Sequence, residues 1–149
     1  MSSTPEAVLI SLVAGTSPAG ASTSATTSAI KGFGRYKAIT ILADLLGGTG
    51  GTLDVIVEHS PDGTDWYEYV HFTQLADGAT IKTYSYAPGL NDTIVAVGKN
   101  LTTTMILTSG NAAGGHWFDQ MRIRYVTGSG NSAGAAQIVR VLAVTEVFA

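Results

Sequence analysis

The chain has 149 residues, enough for one domain with a substantial core. Its net charge of −3 speaks against nucleic-acid binding, which needs a basic stripe against the phosphates. The absence of cysteine excludes disulfides, thiolate metal sites and a cysteine nucleophile. Residues Glu6 to Val13 read as a first strand, continuous and apolar. The run Ala7–Val13 is short, is interrupted by Ser11 and has no Lys or Arg before it. It makes a poor signal peptide and is too short to span a membrane, so synthesis without export is expected. Ala14 to Ala29 contains only Ala, Gly, Ser, Thr and Pro. Such a stretch buries little surface, so an arm or loop is expected there, or a small-residue edge strand over Ser22–Ala29.

Tyr36 to Leu46 is a strong strand, with Ile39, Ile41, Ala43 and Leu45 on one face and Thr40, Leu42 and Asp44 on the other. Gly47–Gly51 ends it. Leu53 to Phe72 then spells out a β-hairpin. Leu53, Val55 and Val57 alternate with Asp54 and Glu58, the turn cluster Ser60-Pro61-Asp62-Gly63-Thr64-Asp65 follows, and Trp66 to Phe72 form the return strand. Ala76-Asp77-Gly78 is a further turn. Strands are expected at Ile81–Tyr86, Thr93–Val97, Thr102–Thr108, Phe118–Thr127 and Ala136–Phe148, separated by Gly, Asn and Pro turns. No segment carries a helical period over three turns. The expected fold is all-β: a single-domain antiparallel β-sandwich of eight or nine strands, jelly-roll or immunoglobulin-like. Residues 1–29 form its N-terminal strand and small-residue arm or loop, and residues 30–149 the sandwich. Ile41, Val55, Ile123 and Leu142 are expected to point inward from four strands.

Charged residues are only 13% of the chain, against about 25% in average soluble domains, while 45% are hydrophobic. A surface so poor in charge favours a protein packed against partners. A tightly ordered β-domain with a Ser/Thr-rich surface is the alternative.

Few residues suggest chemistry. His59 and His71 flank the hairpin turn, and with Asp62 or Asp65 they are the nearest approach to a metal site. Two candidate ligands do not make the three or four that zinc needs, so no metal and no cofactor is expected. His116 stands apart. Asp62-Gly63-Thr64-Asp65 lacks the rest of a calcium loop and reads as a turn in which Asp62 bonds backbone amides. Asp54, Glu58 and Glu68 would place carboxylates across one hairpin as in a glycosidase, but the solvent side of a half-buried strand is the better reading. There is no G-x-S-x-G elbow and no phosphate-binding glycine motif. No catalytic residues are expected. The basic residues are scattered, with Lys31/Arg35/Lys37 and Arg122/Arg124 the closest groupings. The aromatic residues Trp66, Tyr67, Tyr69 and Trp117 are candidates for a protein interface or a sugar platform, part of the set being core. Val8, Ile10 and Leu12 join them as interface candidates, because the N-terminal segment is long enough to reach a neighbouring subunit.

The hairpin LDVIVEHSPDGTDWYEYVHF resembles the "SPDGTxWY" hairpin of small β-sandwich proteins among the structural genes of tailed bacteriophages. The likeness covers Ala38 to Thr73 best and extends weakly through QMRIRYV (120–126) to the C-terminal strand. It implies a non-enzymatic virion protein, most often a capsid decoration or cement protein that binds the outer shell and stiffens the head. It further implies assembly as a homo-oligomer, with a trimer favoured, and the major capsid protein as partner. Neither nucleic acid nor membrane is implied as a partner. The location would be the capsid surface, after synthesis in the host cytoplasm. A head–tail or tail component, and a carbohydrate-binding module, are the alternatives.

Overall fold

The computed structural model describes residues 7–16, 20, 22–48, 51–76, 81–86, 109–113, 117–129 and 137–147. The protein is all-β. Ten strands lie among the described residues: β1 (Ala7–Thr16), β2 (Ser24–Thr26), β3 (Ile30–Lys31), β4 (Tyr36–Gly48), β5 (Thr52–Ser60), β6 (Tyr67–His71), β7 (Leu75–Ala76), β8 (Ile81–Tyr86), β9 (Gln120–Thr127) and β10 (Gln137–Val147). One sheet has the order β1-β10-β4-β8. The other has the order β2-β9-β5-β6, with β3 also on β9 and β7 on β5. Every pairing is antiparallel. The expected strands Thr93–Val97 and Thr102–Thr108, and His116, lie outside the described residues.

One core cluster draws on residues of both sheets. Ile39, Ile41, Ala43 and Leu45 enter it from β4, as their period of two predicts. Leu53, Val55 and Val57 enter from β5, and Met121, Ile123 and Tyr125 from β9. On β10 Val141, opposite Ala43, is buried in the core. Leu142, the other residue expected to point inward, is in register with Leu42, and its side chain lies outside the described residues.

The N-terminal region is drawn into these sheets. β1 pairs with β10 over its whole length. The small-residue stretch yields the three-residue β2, which lies on β9. With no large side chains, β2 is held by polar bonds. The Thr23 N–H donates to Thr127 Oγ1 at 2.8 Å, and that hydroxyl donates to Gly20 O at 2.6 Å. A short 3-10 turn at Phe33–Arg35 carries the chain between β3 and β4. Asp119 anchors it by accepting from the N–H groups of Gly32 and Gly34, and the Trp117 indole N–H donates to Phe33 O at 2.8 Å. Phe33 is fully buried there.

The hairpin turn follows its residue types. Asp62 Oδ1 accepts from the N–H groups of Thr64 and Asp65, each at 2.8 Å. These backbone bonds, that of Asp65 first, hold the Asp62 carboxyl below its ordinary pKa. Ser60 Oγ accepts from the Gly63 N–H at 2.8 Å, and the Trp66 indole N–H donates to Gly63 O. Gly63 has φ +81°, a region open to glycine and strained for other residues. A Cβ there would also come within 2.9 Å of Gln120 Oε1, although that side chain is free to shift. Gly63→Val should therefore destabilise the protein by about 1 kcal/mol or more, through backbone strain. An unchanged thermal midpoint would contradict this account of the turn.

Candidate functional site

The polar residues of the hairpin do not face solvent. Asp54, Glu58 and Ser60 are buried, although the alternation of β5 suggested an exposed face. The reason is pairing across strands. β9 lies beside β5 with Arg122 opposite Glu58 and Arg124 opposite Ile56. On the other side of β5, Glu68 of β6 stands opposite Glu58. Two carboxylates directly opposite each other repel. Arg124 reaches between them, donating from Nε to Glu58 Oε1 at 2.9 Å and from Nη2 to Glu68 Oε1. Arg122 Nε donates to the second Glu58 oxygen at 2.6 Å. The Trp66 ring lies over the Arg122 guanidinium at 4.1 Å. Glu58 and Glu68 are 0% exposed. Among the described residues two acids and two bases pair here, and paired charges are the kind that can remain buried.

A second polar group lies further along β5. The His71 ring bonds Asp54 Oδ1 through Nε2 at 3.0 Å, and Gln74 Nε2 donates to Asp54 Oδ2 at 2.9 Å. Burial raises the pKa of Asp54, but the bonds from His71 and Gln74 and the charge on His71 outweigh it, leaving the carboxyl below its ordinary value. A cleft of about 100 Å³ opens beside this group, lined in part by His71, Thr73, Lys82 and Asn111.

The two hairpin histidines do not converge. His71 stands opposite Ile56, and His59 is three residues further along the same strand. An odd separation on a strand puts the two on opposite faces. His59 stacks on Tyr69 with ring centroids 4.8 Å apart, lies 4.5 Å from the Phe118 ring, and accepts from the Phe118 N–H at Nδ1, 3.1 Å away. No three His, Asp or Glu residues gather to hold a metal among the described residues.

Burial pushes the His59 pKa down to about 4. A histidine in the unfolded chain takes up its proton near 6.5, so between those values the unfolded state binds more protons. Stability should be full above about pH 6.5 and fall by up to roughly 3 kcal/mol as the pH drops to about 4. His59→Gln keeps an acceptor for the Phe118 N–H and does not titrate. Urea midpoints should fall less steeply with pH in this variant than in the parent. Identical slopes would place the acid sensitivity elsewhere.

The expected interface residues separate into three groups. Tyr69 and Trp117 belong to the core, Trp117 being 5% exposed, and neither is a surface anchor. Strict alternation would turn Tyr69 and Val70 to opposite faces, yet both are buried in the core. The cause is an irregularity in the ladder, where Val57 and Glu58 oppose Val70 and Glu68 and leave Tyr69 as the extra residue. Trp66 is 7% exposed and its ring is engaged by Arg122. Tyr67 is half-buried, edge-on to His59 and 5.9 Å from Phe118. Val8, Ile10 and Leu12 lie in β1, at one end of the four-stranded sheet. Phe118, 39% exposed, is a surface aromatic that sequence reading passed over in favour of its neighbour Trp117. The alternation of Gln120, Arg122 and Arg124 was the visible sign of the ion cluster, but their carboxylate partners were not.

No protein-family model matches the chain, and neither a curated protein nor a solved structure matches it.

Proposed function

We propose that this protein is a non-enzymatic structural component of a tailed-phage virion, a decoration or cement protein bound to the outer capsid surface. The observation that carries the reading is how the hairpin bearing the phage resemblance uses its acids. Glu58 and Glu68 are engaged by Arg122 and Arg124, Asp54 by His71 and Gln74, and Asp62 by turn amides. Carboxylates so committed to cohesion suit a scaffold. A charge content of 13% suits a surface that is largely covered in the assembled particle. In this reading the two sheets form the β-sandwich of such proteins, and the major capsid protein and further copies of the chain are its partners. Its action is cohesive: it bridges neighbouring shell subunits and adds buried area that resists internal pressure. A sugar-binding role finds less support, since Trp66 and Trp117 are buried rather than offered as platforms.

Mass spectrometry and cryo-EM of gradient-purified particles test this proposal. The chain should be present in many copies, with density on the outer shell. Density at the head–tail junction would move the role to a connector. Absence from particles, together with binding on a glycan array, would overturn the proposal.

A further inference from the structure

Asp-Gly steps are the places where a polypeptide most readily isomerises, and the chain has two, Asp62–Gly63 and Asp77–Gly78. The glycine nitrogen attacks Cγ of the aspartic acid. An N–Cγ bond forms, and the carboxyl hydroxyl leaves as water with the amide proton. Water then reopens the cyclic imide at either carbonyl. Opening on the main-chain side leaves isoaspartate, whose backbone runs through Cβ and Cγ and is one atom longer. Glycine favours the closure because no Cβ hinders the approach and its backbone turns freely. Asp77–Gly78 lies outside the described residues.

At Asp62–Gly63 both reacting groups are tied to one side chain. Ser60 Oγ accepts from the Gly63 N–H at 2.8 Å and donates to Asp62 Oδ1 at 3.1 Å. The same carboxylate oxygen accepts from the N–H groups of Thr64 and Asp65. These backbone bonds, that of Asp65 first, favour the ionised carboxyl, which has no hydroxyl to lose as water. The Trp66 indole N–H holds the other side of the glycine through Gly63 O. Ser60 itself is fully buried at the end of β5, opposite Gln120 of β9. Its oxygen is therefore placed by the sheet and not by the turn it restrains.

We propose that Asp62–Gly63 is a latent isomerisation site that Ser60 keeps closed in the folded protein. Ring closure requires Gly63 to give up the proton that Ser60 Oγ accepts. Hydrogen exchange of the same amide requires the same release. Both therefore proceed through one opened form of the turn, and the free energy of that local opening sets both rates. The consequence of closure failing is structural. An extra backbone atom would enter the loop that joins β5 to β6, and hairpin register depends on the turn. Glu58 and Glu68, which Arg124 joins, lie on the two arms of this hairpin. The inference rests on the turn alone and stands whether or not the protein belongs to a virion.

The test ages the full chain at neutral pH, native and in guanidinium chloride, and counts isoaspartate at each step by digestion and electron-transfer mass spectrometry. In denaturant Asp62–Gly63 and Asp77–Gly78 should react at similar rates, each as an unstructured peptide. In the native protein Asp62–Gly63 should react at least about tenfold more slowly, the factor that about 1.4 kcal/mol of opening free energy gives. Ser60→Ala should return much of that reactivity and lower the exchange protection of the Gly63 amide by a similar factor. Ser60→Thr, which keeps the hydroxyl, should stay slow. An Asp62–Gly63 step that isomerises as fast in the native protein as in denaturant overturns the proposal, and so does a Gly63 amide that exchanges without protection. A folded Ser60→Ala protein as slow as the parent removes Ser60 as the guard, as does a folded Ser60→Thr protein as fast as the denatured chain. If Ser60→Ala does not fold, the parent and Ser60→Thr decide between these results.

Discussion

Replacing Arg124 with methionine should cost about 3–5 kcal/mol in a denaturant titration, enough to unfold much of a marginally stable domain. Arg124 bonds both Glu58 and Glu68, and those two residues stand opposite each other on β5 and β6. Without the guanidinium two buried carboxylates face each other, and Arg122 bonds only Glu58 among the described residues. The expense lies in the acids left behind. Removing Glu68 as well, as Glu68→Gln, should therefore recover part of the loss, and the double variant should be more stable than the sum of the single effects predicts. A loss below about 1 kcal/mol for Arg124→Met would mean that water reaches the cluster and that the pairs act like surface salt bridges.

Ile41→Ala and Ile123→Ala should each cost about 2–5 kcal/mol. Both residues are fully buried in the same core cluster, one on each sheet. Truncation removes transfer free energy and leaves a cavity that rigid strands collapse into only partly. Val55→Ala should lie lower in the series, because fewer atoms are removed. Chemical denaturation of the three variants checks the order. Wild-type stability in two of them would mean that the core faces have been assigned the wrong way round.

The strands of the chain were legible where period two is strong. β4 was readable from Ile39, Ile41, Ala43 and Leu45, and β5 and β6 from the alternation on either side of Ser60–Asp65. The turn was legible because its chemistry is local: Asp62 and Ser60 bond amides two or three residues away, and Gly63 adopts a conformation that glycine alone takes readily. The small-residue stretch was ambiguous because Ser24–Thr26 has little apolar pattern of its own. Its strand state comes from β9 and from Thr127, which is distant in sequence.

By itself, then, the sequence determined the all-β class, the main hairpin and the inward face of β4, since these depend on neighbours within a few residues. Only the tertiary structure decided which polar residues are buried. Glu58 meets Arg122 and Arg124 across 64 and 66 positions of chain, and Arg124 meets Glu68 across 56. A charged residue on an alternating strand reads as exposed until its opposite number is known, and that depends on the register between β5 and β9. The same holds for Tyr69, which one extra residue in the β5–β6 ladder places in the core. Side-chain direction changes with every single-residue shift of a strand. Long-range pairing therefore decides what periodicity alone leaves open.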